Sequence, residues 1–247
     1  MLVKTEGIVL HTIKHTDSGI VTHILTRDYG RLTFMARGVH SKKGNTRSVF
    51  FQPLQILKLE AYFKDGRDLN SLKEVTVSEP LTSIPVNITK TSMAIFISEV
   101  LYRTSTETET NRPLYDFIRD GICYLDRYSG NPSNFHIGFL VGLSKYLGIA
   151  PGTGDNPNHD FFDMQSGHFC NARPLHGYYL HGRQSVLLRR FLESTLHECE
   201  TISLSGKERA AFLDSLIAFF SIHLPGARNI KSLDVLSQLF NPKSPES

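Results

Sequence analysis

The stretch that decides the fold runs from residue 30 to residue 47 and reads GRLTFMARGVHSKKGNTR. Apolar and polar side chains alternate through its first half, as they do in a strand with one face on a core and the other in solvent. The two faces comprise Leu32, Phe34 and Ala36, which are apolar, and Arg31, Thr33 and Arg37, which are polar. The alternation therefore predicts a half-buried strand whose outer face carries arginines.

The second half of this stretch, from His40 to Arg47, contains no apolar residue that could join a core. Serine, glycine, asparagine and threonine at this density are typical of a loop. Between Arg27 and Arg47, six lysines or arginines stand against one acid, Asp28. A cationic loop beside a strand with outward arginines favours contact with phosphates.

Four further segments around this strand are rich in β-branched residues or alternate with a period of two, and turn residues separate them. They span residues 7–15, 20–26, 53–64 and 69–79. Five short strands with no helix to cover an open sheet favour closure into an antiparallel barrel, because closure removes exposed edges. An OB-like barrel is the leading prediction. An SH3-like barrel or a small sandwich stays open, since periodicity does not reveal strand order.

After Pro85 the apolar residues take up the spacing of helices. The predicted helices lie at residues 87–104, 112–128, 132–148, 185–198, 207–224 and 232–240. Asn87 is a suitable N-cap for the first of them, and Ser205 to Glu208 fits a capping box before the fifth. Amphipathic stripes of this kind pack against one another, so a helical bundle is expected.

The predicted organisation is an α+β protein of two domains. A five-stranded OB-fold barrel occupies residues 1–80, and a helical bundle domain occupies residues 81–247, interrupted by an irregular inserted loop region at about 149–182. Residues 1–80 hold twelve lysines or arginines and eight acids, whereas the whole chain carries a net charge of +3. The basic excess is therefore predicted to lie on the barrel.

Composition limits the class of protein. Of the 247 residues, 40% are hydrophobic and 21% charged, which is typical of a globular protein. No apolar run approaches the ~20 residues that a membrane helix needs, and the N-terminus lacks the features of a signal peptide. Three scattered cysteines are too few for a secreted disulfide framework. A cytoplasmic protein is expected.

The layout resembles the RecO family of bacterial recombination mediators over most of the chain. The matching segments are TEGIVLHT at 5–12, ILTRDYGRLTFMARGV at 24–39, QPLQILKL at 52–59, YLGIAP at 146–151 and HLPGARNIKSLDVLSQL at 223–239. The resemblance implies an N-terminal OB-fold, which agrees with the strand periodicity, and a helical C-terminal region.

The resemblance also implies a function and partners. A protein of this family would bind single- and double-stranded DNA, anneal complementary strands and, with RecR, assist RecA loading onto DNA coated by single-strand-binding protein. The C-terminal tail of single-strand-binding protein would contact the helical region. Such a protein would act without catalysis, in the cytoplasm and near the nucleoid.

One departure from the family concerns zinc. Many members carry two CxxC pairs after the segment that matches YLGIAP, and four thiolates bind zinc tetrahedrally. Here the first pair is replaced by NPNH, and only Cys170 lies near the second. No metal or other cofactor is therefore predicted, and the insertion is expected to fold by packing Phe161, Phe162, Phe169 and Tyr178. A substitute site is the alternative, built from His159, His168, Cys170 and His176.

The predicted nucleic-acid site combines the outward cations with one aromatic residue. Its members are Arg31, Arg37, Lys42, Lys43, Arg47, Tyr62, Lys64 and Arg67. Tyr62 is assigned to a polar strand face, where it could stack on a base, whereas Phe34 is assigned to the core. No catalytic residue is predicted, because the chain lacks a P-loop, a nucleophile elbow and an HExxH motif. An RNA- or ribosome-associated barrel is the alternative function, since it would carry the same basic strands.

Overall fold

The computed structural model describes residues 1–17, 19–37, 39, 48–64, 66–105, 109–152 and 159–240. The chain divides into two compact units, Met1–Arg127 and Tyr128–Ser247. The first unit contains the strands predicted for the barrel together with two helices, and the second contains the other helices and a small sheet. The division into domains at residues 80 and 81 stays a prediction.

The first unit is built on a closed five-stranded barrel with the strand order β1-β2-β3-β5-β4. The strands are β1 (Leu2–Lys14), β2 (Gly19–Thr26), β3 (Gly30–Arg37), β4 (Ile56–Tyr62) and β5 (Asn70–Glu79). The predicted OB-fold barrel is thus confirmed. The prediction that all of its strands are antiparallel is wrong, because β3 and β5 pair in parallel. A closed ring with an odd number of strands cannot be antiparallel at every junction.

The barrel core is formed by the strand positions that alternation assigned to it. Phe34 is 1% exposed and lies among buried residues of the other strands, including Ile24, Leu57 and Leu59. The assignment of Phe34 to the core is confirmed. Gly30 begins β3 with a φ of 64°, a left-handed conformation that glycine adopts without strain, so the turn after β2 closes tightly.

Two helices complete the first unit, α1 (Ile88–Thr104) and α2 (Arg112–Arg127). Asn87 caps α1 as predicted, since its side chain accepts a hydrogen bond from the Lys90 backbone N–H at 3.1 Å. The Ser98 hydroxyl of α1 donates to the Leu10 carbonyl of β1. The buried Leu10 side chain and this hydrogen bond fasten α1 to the outside of the barrel.

Glu6 of β1 connects the barrel to α2. Its carboxylate accepts hydrogen bonds from the Tyr115 hydroxyl at 3.0 Å and from the Arg119 guanidinium at 3.1 Å. Burial raises the pKa of Tyr115 far above its ordinary value, and the Glu6 charge raises it further. The phenol therefore stays a hydrogen-bond donor at any physiological pH.

At the end of α2, the buried carboxylate of Asp126 holds the segment that joins β5 to α1. It accepts hydrogen bonds from the backbone N–H groups of Thr82, Ser83 and Ile84 at 3.0, 2.8 and 2.8 Å. The Lys90 ammonium, also buried, donates to the Asp126 carbonyl at 3.0 Å. Burial alone would raise the pKa of Asp126, but these backbone donors outweigh it and hold the pKa below its ordinary value.

The second unit is mainly helical, in agreement with the predicted helical region. Its helices are α3 (Phe135–Tyr146), α4 (Arg183–Glu193), α5 (Leu196–Cys199), α6 (Gly206–His223) and α7 (Ser232–Phe240). The single helix predicted at 185–198 is two, because Ser194 and Thr195 are extended and Thr195 caps α5. The predicted capping box of Ser205 and Glu208 is confirmed at the start of α6.

The insertion folds into a three-stranded sheet with the order β7-β6-β8. Its strands are β6 (Phe161–Asp163), β7 (His168–Cys170) and β8 (Tyr179–His181). Phe162 and Phe169 are buried as predicted and lie with ring centroids 5.0 Å apart. The prediction is wrong for Tyr178, which is 54% exposed and lies outside the sheet, immediately before β8 begins.

No helix in the described part of the chain is long and apolar enough to cross a membrane.

Replacing Asp126 with alanine should destabilise the first unit by about 3 kcal/mol, because three backbone N–H groups, that of Ile84 buried, lose their acceptor. Asp126→Asn should cost less, since its amide oxygen still accepts. Asp120→Ala, an exposed change on the same helix, is the control and should stay within about 0.5 kcal/mol of wild type. Chemical denaturation measures all three, and equal stabilities for Asp126→Ala and Asp120→Ala would contradict the role of this carboxylate.

Candidate nucleic-acid interface

The structure distributes the predicted site residues over two parts of the barrel. Arg31 and Arg37 lie on β3, and Arg37 is exposed at its end. Tyr62 is the last residue of β4 and is 57% exposed, while Lys64 and Arg67 lie exposed in the turn that follows. The remaining predicted residues, Lys42, Lys43 and Arg47, lie outside the described residues.

Arg31 is held by α1. Its Nη1 donates to the Tyr102 carbonyl at 2.7 Å, and its guanidinium carbon lies 5.5 Å from the centroid of the Tyr102 ring. This pairing of a carbonyl acceptor with a cation–π contact orients the side chain along the outer surface of β3. Arg31 therefore presents a positive charge from a defined position.

The turn that carries Lys64 and Arg67 is organised by a buried amide. The Asn70 side chain, 1% exposed, accepts from the Lys64 N–H at 3.2 Å and donates to the Arg67 carbonyl at 3.4 Å. The Arg67 N–H also donates to the Lys64 carbonyl at 3.2 Å, and Gly66 takes a φ of 71°. The backbone of both cations is thus ordered while their side chains stay exposed.

One row of side chains crosses the outer surface of all five strands. The backbone register pairs Ile13 with Val21, Val21 with Met35, Met35 with Ser71, and Ser71 with Tyr62. We call these residues the outer row. Ile13 is 46% exposed and Tyr62 57%, whereas Val21 and Met35 are half-buried. The row is therefore an uncharged and largely apolar strip that solvent reaches at both ends.

Three aromatic rings lie beside the outer row and form what we call the ring cluster: His11, His23 and Tyr102. The Tyr102 ring centroid lies 4.6 Å from that of His11 and 4.9 Å from that of His23. His11 and His23 are register partners on β1 and β2, two residues from the outer-row positions of those strands. The Thr33 hydroxyl lies 3.0 Å from His23 Nδ1 and fixes the orientation of that ring.

The surroundings of both imidazoles in the ring cluster lower their pKa values. Burial lowers the pKa of His11, and Arg103 lowers it further against the opposing effect of Glu99. Burial likewise lowers the pKa of His23, together with Arg31. A lowered pKa favours the uncharged imidazole, so these rings are suited to stacking.

Sequence reasoning missed the ring cluster. Alternation along β2 could have placed His23 on the outer face, but along β1 it puts His11 on the same face as the core residue Val9, and a register shift between Val9 and His11 turns that ring outward. Tyr102 could not have been added, because it comes from a helix far along the chain. Its position depends on how α1 packs against β1.

Some charged side chains of the barrel form ion pairs, and others form none among the described residues. Glu60 pairs with both Lys4 and Lys73, and Arg27 pairs with Asp116 at 3.4 Å. The predicted cations Arg37, Lys64 and Arg67 form no ion pair with a carboxylate in the parts of the chain that the structure describes. All three side chains are exposed to solvent.

The histidines and the cysteine of the insertion have separate partners. His159 Nδ1 lies 3.1 Å from the Phe169 carbonyl, and the Cys170 thiol donates to the Ala172 carbonyl at 3.3 Å. Among the described residues, no group of three or more His, Cys, Asp or Glu side chains could hold a metal ion. One thiolate does not match a four-thiolate zinc site. That the protein needs no zinc stays a prediction.

Comparisons with known proteins match nearly the whole chain. The family model described as Recombination protein O N terminal matches residues 1–81, and the one described as Recombination protein O C terminal matches residues 85–234. The chain is 36% identical over 242 residues to the DNA repair protein RecO of Bacteroides fragilis, covering 98% of this chain and 100% of that protein. It is 35% identical over 241 residues to its namesake from Phocaeicola vulgatus, with the same coverage.

Asn70→Ala should lower the free energy of unfolding by about 1–3 kcal/mol, because the Lys64 N–H and the Arg67 carbonyl lose their partner, the buried Asn70 amide. Amide hydrogen exchange at Lys64 should accelerate as well, since its acceptor is gone. The control is Ser71→Ala, the exposed neighbour on the same strand. If the Lys64 amide exchanges equally fast in both variants, Asn70 does not organise the turn.

Proposed function

Because the chain belongs to the Recombination protein O (RecO) family of DNA repair proteins, we propose that it is a recombination mediator that binds single- and double-stranded DNA and anneals complementary strands. With RecR, it assists RecA loading onto DNA coated by single-strand-binding protein, whose C-terminal tail it contacts. It acts without catalysing a reaction, in the cytoplasm and near the nucleoid.

The observation that carries this proposal is the display of Arg37, Lys64 and Arg67 on a closed OB-type barrel. All three are exposed and form no ion pair among the described residues. Phosphates attract such cations whatever the base sequence, and release of counterions supplies much of the free energy of binding. This chemistry suits a protein that must bind DNA of any sequence.

Annealing follows from the same charges. Two complementary strands repel each other through their phosphates, and a protein that neutralises part of this charge lets them approach. A strand held along a cationic surface also folds less onto itself. Its bases therefore stay available to pair with a second strand. Both effects require binding but no chemical step.

Strand annealing in the presence and absence of cognate single-strand-binding protein tests the proposal. We expect this protein to accelerate annealing of naked strands and of coated strands. If only the annealing of naked strands were accelerated, the protein would be a general DNA-binding barrel, and a mediator function would be excluded. Binding to RNA that is tighter than binding to DNA of the same sequence would favour the RNA-associated alternative.

The double substitution Lys64→Ala and Arg67→Ala should weaken binding to single-stranded DNA and lower the salt dependence. For single strands, each lost phosphate contact reduces the magnitude of the slope of log K against log salt by about 0.7. Loss of two contacts should therefore reduce the slope by about 1.4. The matched control removes the same charge from two exposed lysines of the second unit, Lys145→Ala and Lys207→Ala. Equal slopes for the two double variants would remove this turn from the site.

The same salt titration extends to the predicted site residues that lie outside the described residues. Lys42→Ala, Lys43→Ala and Arg47→Ala together should lower the slope by about 2, from three phosphate contacts. An unchanged slope would exclude this loop from the DNA site while leaving the turn at Lys64 and Arg67 unaffected.

A further inference from the structure

We propose that the outer face of the three-stranded sheet in the insertion is an additional contact site for nucleic acid, at which unpaired bases lie against aromatic rings. The site belongs to the second compact unit and shares no residue with the barrel. This inference rests on the proposed function, because it adds a further site for the same class of ligand.

The sheet of the insertion has one buried face and one face that solvent reaches. The middle residues of its strands, Phe162, Phe169 and Leu180, are 1%, 5% and 3% exposed. Because side chains alternate along a strand, the residues on either side of them share the opposite face. This face, which we call the ring face, consists of Phe161 and Asp163 on β6, His168 and Cys170 on β7, and Tyr179 and His181 on β8.

Three rings of the ring face lie beside one another. Phe161 and His181 are register partners on neighbouring strands, and their ring planes are within 9° of parallel, with centroids 6.3 Å apart. The Tyr179 ring stands edge-on to both, at centroid distances of 5.7 Å from Phe161 and 5.8 Å from His181. Rings that support one another lose little conformational freedom when a base stacks on them. The ring face is therefore a preformed surface for bases.

A guanidinium accompanies these rings. Arg173, in the connection between β7 and β8, has its guanidinium carbon 5.3 Å from the centroid of the Tyr179 ring. Arg173 is exposed and forms no ion pair with any carboxylate that the structure describes. A cation beside exposed rings can contact a phosphate while the adjacent base contacts a ring, and single-strand sites use this combination.

The chain around the ring face is cationic. Residues 164–192 include four arginines and no acid. The one carboxylate on the ring face, that of Asp163, accepts hydrogen bonds from the N–H groups of Gln165 and Ser166 at 2.8 and 3.3 Å. His176 Nε2 also lies 3.3 Å from it. These donors offset the charge of Asp163, so the surroundings of the rings attract a polyanion.

The ring face is small. Three strands about 4.8 Å apart, with outward residues about 7 Å apart along each, present roughly 10 Å by 7 Å of surface. That is room for one or two bases, so this site adds to the affinity of the cations on the barrel. Because those cations belong to the other unit, two unpaired strands can occupy one molecule, which raises the local concentration of each near the other.

Tryptophan fluorescence tests this site directly. The sequence contains no tryptophan, so a single introduced indole reports from one position. His181→Trp places it on the ring face, and Tyr146→Trp, at a position 37% exposed at the end of α3, is the control in the same unit. The emission of His181→Trp should fall as oligothymidylate is added, because a base stacked on an indole quenches it. A strand of abasic spacers with the same number of phosphates should leave it nearly unchanged, as should either ligand with Tyr146→Trp.

Removal of rings tests the contribution to affinity. The double variant His181→Ala and Phe161→Leu should bind oligothymidylate about fivefold more weakly and the abasic strand less than twofold more weakly, since fivefold is the lower limit for one base–ring stack. His197→Ala with Tyr146→Leu removes one imidazole and one ring elsewhere in the second unit and should leave both affinities unchanged. Thermal unfolding shows whether each variant is folded, and the tryptophan variants decide the question if the ring-face variant is not.

The outcomes separate this inference from the proposed function. If labelled oligothymidylate binds the protein but does not quench His181→Trp, or if the abasic strand quenches it equally, the ring face does not contact bases and the proposed function stands. If no strand binds the wild-type protein, both are overturned. Quenching by oligothymidylate alone, with selective loss of affinity in the ring-face variant, supports the site.

Discussion

The closure of the barrel through a short parallel pair is the constraint on which the rest of the structure depends. Phe34 lies opposite Asn70, and Met35 opposite Ser71, so two register pairs join β3 to β5. They cover Phe34 in the core, bring the buried Asn70 amide to the turn after β4, and make the outer row continuous from β1 to β4. Without this junction, the barrel would be an open sheet of the order β3-β2-β1-β4-β5 with two exposed strand edges.

Helix α1 determines which part of the outer barrel surface is covered and which part stays accessible. Where it packs over Leu10, the surface of β1 is covered, and where the helix ends, Tyr102 reaches the rings of His11 and His23. The Tyr102 carbonyl also accepts a hydrogen bond from Arg31. Helix α1 therefore covers the barrel surface at Leu10 and contributes Tyr102 to the neighbouring surface. The candidate interface thus lies next to a helix that is packed on the barrel.

Periodicity was sufficient for much of this fold, because alternation and helix caps are local properties. It predicted the five strands, the burial of Phe34, the outward position of Tyr62 and the caps at Asn87 and Ser205. The parallel junction and the ring cluster depend on which distant segments meet, and a local pattern does not contain that information. Asn70 shows the same limit, since its place in the predicted strand at 69–79 does not reveal that its side chain is buried and bonded to the preceding turn.

The contacts of β1 with the two helices bear on how such a protein can be taken apart or recombined in evolution. The carboxylate of Glu6 has its partners in α2, and the carbonyl of Leu10 has one in α1. A gene fragment that ended at residue 81 would keep every strand of the barrel but lose these partners and uncover Leu10. The shortest fragment that keeps these hydrogen-bond partners of β1 extends through α2. A fusion, or an exchange of segments between relatives, is therefore best joined after Arg127, where the first compact unit ends.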